Sequence, residues 1–189
     1  TAWAMLHRLR AVLVRPGRER LAGSVEVDES FFGGEEVGLR GGRQKGKKVL
    51  VGIAVERTEP TGFGRCRMAP LQDASGDSLR AFLADNVEPG GRVITDGWAP
   101  YERATGGLYV HEPIPGASRS QAHKLLPGVH KVSSLAKRWL LGTHQGSIDA
   151  AHLAGYLNEF VRHEALSDRV GCKTPPPGCR SGPVKLRAA

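Results

Sequence analysis

From Ser24 to Phe32 the chain alternates, with Val25 and Val27 set against Glu26 and Asp28, a period of two that predicts a β-strand. The stretch "VLVGIAVER", residues 49–57, is apolar almost throughout and predicts a strand buried on both faces. "RCRMAPL", 65–71, alternates again and makes a third strand; Pro60, Gly62 and Gly64 supply the turn before it. The period then changes. Leu79, Phe82 and Leu83 form the apolar stripe of a helix from Ser75 to Asn86, with Ser75 or Asp77 able to cap it. After Pro89-Gly90-Gly91, "RVITDGW", 92–98, reads as a fourth strand that ends on Asp96. Residues 105–128 are rich in Gly and Pro and read as loop. A helix follows from about Val129 to Leu141, and a last amphipathic one over 147–165 with Leu153, Leu157 and Phe160 inward.

The ends of the chain differ from this middle. Trp3, Leu6, Leu9 and Leu13 fall at helical spacing, with His7, Arg8 and Arg10 on other faces, and the helix should stop near Arg15-Pro16-Gly17. Past Leu166 the pattern dissolves into a Pro-rich basic segment, read as a disordered tail. Three strands in succession, then helix, strand and helix, give an α/β order with hairpins at the front.

Charge adds a partner. Lys and Arg number 27 against 19 Asp and Glu, a net charge of +8, which suits a polyanion such as nucleic acid. The glycine-rich segment 33–48 holds Lys45, Lys47 and Lys48 and reads as a flexible basic loop; it lacks the phosphate-gripping pattern of a nucleotide-binding loop. No apolar run approaches the roughly 18 residues of a membrane helix, and no signal-peptide pattern opens the chain. Cys66, Cys172 and Cys179 form neither a disulfide framework nor a zinc-knuckle spacing, which fits a reducing cytoplasm.

The acids at the strand ends are the candidate chemistry. If the strands of Asp28 and Asp96 lie side by side and parallel, both carboxylates emerge at one sheet edge, where ligands of open α/β sheets gather. Two such carboxylates repel unless one is protonated or a cation lies between them. Hard oxygen donors suit Mg²⁺ or Mn²⁺, and a metal pair about 3.5–4 Å apart is the usual device of phosphodiester chemistry. The plain alternative is a pair of exposed turn acids, since Asp96-Gly97 is ordinary turn chemistry.

The segments "TAWAMLHRLR", "VEVDESFFGG", "GRQKGKKVLVGIAVER", "VITDGWAPY", "LLPGVHKVSSLAKRWLLGTHQG" and "HLAGYLNEF", in that order, resemble an insertion-sequence transposase of the DDE type, from the bacterial group related to the Merlin elements. The resemblance runs from about Thr1 to Phe160. It implies an RNase H-like mixed sheet flanked by helices, with Asp28 on the first strand and Asp96 on the fourth. It also implies metal-dependent hydrolysis and strand transfer at element ends in a two-metal Mg²⁺ or Mn²⁺ site. The implied partners are double-stranded DNA, as transposon ends and target, and further copies of the chain in a homo-oligomer on that DNA. Family members carry an N-terminal DNA-binding part, of which residues 1–22 resemble the last piece; residues 23–165 correspond to the catalytic domain, and 166–189 to a disordered or frameshifted tail. The departure from the family after "YLNEF" and the missing N-terminal part suggest a copy short at both ends.

The family's third ligand comes from the helix after the second Asp, and near relatives often have Asn where Leu135 stands. On this helix His130, Ser134 and Lys137 share a face, and His130, 34 residues after Asp96, is the residue of that face able to ligate a cation. A capping or core histidine is the plain alternative. Glu159 is a second candidate, and Glu29 a third, though alternation aims Glu29 away from Asp28. Lys137 and Arg138 would contact DNA phosphates, or else form a solvated helix face. Two rival functions remain: a catalytically inactive remnant that binds DNA by charge, and a structure-specific nuclease on the same fold.

Overall fold

The computed structural model describes residues 1–14, 17–33, 48–58, 62–114, 125–144 and 149–171, with side chains up to residue 163. Lys45, Lys47, His123, the middle of the basic loop and the tail from 172 lie outside the described residues.

A five-stranded mixed sheet forms the centre, in the order β3-β2-β1-β4-β5. Strands β1 (Ser24–Phe32), β2 (Val49–Thr58) and β3 (Gly62–Pro70) make an antiparallel meander. Strands β4 (Arg92–Thr95) and β5 (Val110–Pro113) continue the sheet on the other side of β1, each parallel to its neighbour. Leu21 bridges Val87 just before this pairing begins, its amide donating to the Asn86 carbonyl at 2.8 Å. With helices on both faces, this order is the RNase H-like arrangement that the sequence leads one to expect.

Side-chain alternation divides the core in two. Val25, Val27, Ala54 and Val93 face helices α2 (Gly76–Asn86) and α3 (Pro100–Thr105), together with Leu79, Phe82, Leu83, Tyr101 and Ala104. Phe32, Val51, Ile53, Val55 and Ile94 face the opposite way, onto α4 (Pro127–His144) and α5 (Ala150–Gly171), where Val129, Ala136, Leu140, Leu153, Leu157 and Phe160 meet them. Burial of these side chains from water on both faces is what holds the sheet between its helices. Gly52 lets α2 come close: a Cβ there would stand 3.1 Å from the Phe82 ring.

Several boundaries differ from the sequence reading. Ser75, rather than Asp77, caps α2, its hydroxyl accepting from the Ser78 amide at 3.3 Å. β4 stops at Thr95, so Asp96 lies just beyond the strand. Residues 105–128, read as loop, contain β5, and α3 precedes it with Pro100 in its first turn and left-handed Gly106 (φ 45°) closing it. α5 continues to Gly171, beyond Leu166.

The first helix, α1 (Ala2–Val12), departs most. Its apolar residues stay in water, with Trp3 56%, Leu6 50% and Leu9 60% exposed. The polar face docks on α5 instead. Arg10 Nε lies 2.7 Å from Glu159 Oε2, and the His7 ring lies tilted against Trp3 and His152, with centroids at 4.2 and 4.3 Å. An ion pair and tilted ring contacts on α5 select the face, so apolar spacing alone misassigns it.

Candidate functional site

Glu26 begins the site's architecture. It stands on β1 with 0% exposure, among apolar neighbours, where a bare carboxylate is costly. Its Oε2 accepts from the Gly128 and Val129 amides at 2.8 and 3.1 Å, the first turn of α4. An anion at a helix N-terminus meets free N–H groups and the positive end of the helix dipole. Arg57 Nε lies 3.1 Å from Oε1, close enough for an ion pair but off the line of a hydrogen bond. Burial nevertheless raises the Glu26 pKa, against the lowering by these partners. Gly128 makes the approach possible, since a Cβ there would overlap the Phe63 ring at 2.6 Å and Glu26 Oε2 at 2.9 Å.

Two residues along the same face is Asp28, and two further is Ser30, whose Oγ accepts from Lys137 Nζ at 2.6 Å. β1 therefore holds α4 at two points, Glu26 to its first turn and Ser30 to Lys137. Four strand residues span about 13 Å and nine helical residues about the same. Asp28 lies midway along β1 between those two contacts and acts on Lys137.

Asp96 comes from the neighbouring strand. Ser24 pairs with Arg92, an offset of 68 residues, and Asp28 and Asp96 are separated by the same 68. Continued past the end of β4, this parallel register would bring the two acids opposite each other, and both act on the Tyr101 hydroxyl. Asp96 Oδ1 accepts from the Trp98 amide at 2.9 Å, and Gly97 turns the chain with φ 79°. Asp28 Oδ1 accepts from the Glu29 amide at 2.8 Å.

Tyr101 lies beneath both. Its ring is wholly buried on the α3 side, and its hydroxyl donates to Glu29 Oε2 at 2.8 Å. Burial first, then Glu29, Asp28 and Asp96, push its pKa well above the usual range, so three carboxylates act on one phenol. From the other side, burial and Lys48 lower the Lys137 pKa while Asp28 raises it. Lys137 also lies over the Phe32 ring, 5.3 Å from its centroid.

Of the residues singled out in the sequence, the structure thus sets Asp28, Asp96, Lys48 and Lys137 around one sheet edge. His130 is half-buried in the first turn of α4, its amide donating to the Leu126 carbonyl at 3.1 Å. Arg138 is exposed on the adjoining position of the helix. Glu159 is committed to Arg10 on α1, and Glu29 to Tyr101, as alternation requires. Among the described residues no set of three or more His, Cys, Asp and Glu side chains gathers closely enough to hold a metal ion. Asp28 and Asp96 have the hard oxygen donors that a divalent cation takes, but among the described residues no third such ligand closes around them. Tyr101 and Ser30 escaped the sequence reading; the signal for Tyr101 was Pro100, a first-turn residue that announces a helix directly after Asp96.

The strand order and its helices define the class, an RNase H-like α/β domain. A family model described as the ISXO2-like transposase domain matches residues 20–163. The chain belongs to that family, and so to the DDE-type insertion-sequence transposases. No curated protein matches it. Among solved structures, a chain in the cryo-electron microscopy structure of the simian T-cell lymphotropic virus intasome in complex with PP2A regulatory subunit B56 gamma is similar at 11% identity and a TM-score of 0.43, over 78% of this chain and 49% of that one. This chain therefore spans about half the length of the one it matches. Among the described residues, no helix is long and apolar enough to cross a membrane.

Proposed function

We propose that this chain cuts and joins DNA at the ends of an insertion sequence, with Asp28 and Asp96 as the carboxylates that hold Mg²⁺ or Mn²⁺. The observation that supports this reading is the parallel pairing of β1 with β4, whose 68-residue offset Asp28 and Asp96 continue, in a chain of the transposase family. Bound divalent metal would activate the attacking oxygen and stabilise the leaving one. In the first step water attacks phosphorus at an element end, the P–O3′ bond breaks, and the 3′-oxygen leaves with a proton. In the second, that 3′-hydroxyl attacks a target phosphate and the target's own 3′-oxygen departs. Lys137, reaching over β1 beside Asp28, and Lys48 supply positive charge for the phosphate; Arg138 and the loop lysines Lys45 and Lys47 extend the contact to flanking DNA. His130, half-buried in the first turn of α4, is the proposed third ligand. Imidazole suits Mn²⁺ better than Mg²⁺. The DNA substrate and the scattered cysteines fit work in the cytoplasm, as a homo-oligomer on DNA, and the tie to the Merlin elements rests on the sequence resemblance.

A second reading, an inactive remnant that only binds DNA, is favoured by the lack of a third gathered ligand among the described residues. Incubation of the chain with a terminal-repeat duplex and Mn²⁺ separates the two. The expected result is cleavage followed by joining, with Asp28→Asn, Asp96→Asn and His130→Ala each slowing cleavage by about a hundredfold or more, as loss of a charge-stabilising group does. Mn²⁺ should also raise the Tm of the wild type, because a ligand of the folded state stabilises it, and the double Asp variant should lose that rise. DNA binding without cleavage would establish the remnant. Full activity in a stable His130→Ala protein would leave the third position to another group.

A further inference from the structure

We infer that Tyr101 and Glu29 form a positioning pair that fixes Asp28 against Asp96; the inference rests on the reading of those two acids as the metal-holding carboxylates. Tyr101 is linked to both through different parts of itself. Its hydroxyl donates to Glu29 Oε2 at 2.8 Å, and the Glu29 amide donates to Asp28 Oδ1, also at 2.8 Å. Its own amide donates to the Trp98 carbonyl at 3.0 Å, and the Trp98 amide donates to Asp96 Oδ1 at 2.9 Å. One residue thus ends two short chains of hydrogen bonds, each leading to one of the acids.

The ring is the fixed point. Tyr101 has 0% exposure, enclosed on the α2 and α3 side with Val27, Val93 and Ala104. A side chain packed this closely cannot swing without opening the core. Its hydroxyl is therefore a donor at a set place, and a buried hydroxyl left without an acceptor is costly. Glu29 supplies that acceptor from β1. The pairing holds the Glu29 side chain down on the α3 side of the sheet, which sets the peptide whose N–H orients Asp28 on the other side. Hydrogen bonds behind metal-binding carboxylates aim the ligands, and their loss typically weakens metal affinity about 10- to 100-fold. Tyr101 and Glu29 touch neither substrate nor reacting atoms in this scheme; they act through Asp28 and Asp96.

The test is a thermal titration with Mn²⁺ on wild type, Tyr101→Phe, Glu29→Gln and the Asp28→Asn/Asp96→Asn double variant, with DNA cleavage measured beside it. Tyr101→Phe keeps the buried ring and removes only the donor. The expected result is a half-saturating Mn²⁺ concentration raised about tenfold in Tyr101→Phe, with cleavage restored by excess Mn²⁺. Glu29→Gln, which alters the partly exposed half of the pair, should shift the midpoint in the same direction and carries the test should Tyr101→Phe not fold. A lower metal-free Tm with an unchanged Mn²⁺ midpoint would overturn the inference and leave the pair a plain structural contact. In that outcome the wild type still responds to Mn²⁺ and the double Asp variant does not, so the site itself stands. A wild type indifferent to Mn²⁺ would overturn both the site and the pair.

Discussion

Glu26 shows how one charged side chain can decide where a helix starts. The sheet gives it no water, so its charge rests on two α4 amides at Oε2 and on the Arg57 ion pair at Oε1. Glu26→Gln keeps the shape and one acceptor but brings an amide toward Arg57 and removes the charge from the helix terminus. The expected cost is about 1–3 kcal/mol. Urea unfolding checks it: the midpoint should fall with an unchanged slope, and an unchanged midpoint would show that α4 holds its place without this anchor. In the sequence, Glu26 read only as the polar partner of Val25. Alternation gives its face, but no local signal says that a helix about a hundred residues later will begin on it. The same limit applied to Tyr101, whose partner Glu29 lies 72 residues away. The positions of Asp28 and Asp96 are legible because the first lies within, and the second directly after, a strand pattern that can be read locally.

At the scale of elements, the histidines between α1, α4 and α5 predict a pH response. His7 from α1, His144 from α4 and His152 from α5 meet around Tyr156, with Arg10 and Glu159 beside them. The Nε2 atoms of His7 and His144 are buried without a hydrogen-bond partner. Burial first, then the neighbouring positive groups, lower the pKa of both below the ordinary 6.5; Glu159 partly offsets this at His144. The neutral forms are therefore the ones the fold prefers, and below about pH 6.5 the unfolded chain takes up more protons than the folded one. The stabilisation is fully present above that value and is lost as pH falls through the lowered folded pKa values. Tm should drop between about pH 7.5 and about pH 5.5, and His7→Gln should flatten the drop. An identical profile in the variant would remove His7 from the account. This contact also explains why α1 defied its apolar spacing: a stripe read from spacing assumes an apolar partner, and α5 offers rings and a carboxylate. β5 was missed for another reason. It has four residues at the sheet edge and Val110 is 59% exposed, so its pattern carries little burial to read. The long α4 and the meander strands, each nine or more residues long with several buried positions, are legible over most of their length.

For the whole molecule, the net charge of +8 and the two lysines near Asp28 predict how DNA binding responds to salt. Each phosphate neutralised on duplex DNA contributes about 0.9 to the slope of log affinity against log salt. Lys48→Gln with Lys137→Gln should flatten that slope by up to about two units if both meet phosphates. The loss should be equal for a terminal-repeat duplex and a scrambled one, since phosphate contacts carry no sequence information. A titration at several salt concentrations decides it, and an unchanged slope would place both lysines off the DNA.

The strand order gives this chain an inner boundary. On one side of β1 lies an antiparallel meander that contains Asp28; on the other, a parallel pair leads to Asp96. Neither half holds more than one of the two acids, and neither could seat a cation between them. Their meeting depends on one ladder, three paired positions from Ser24 to Glu26 against Arg92 to Ile94. The proposed chemistry at this edge is thus conditional on assembly: on that reading, a chain in which the seam has not closed is as blunt as one that lacks either aspartate.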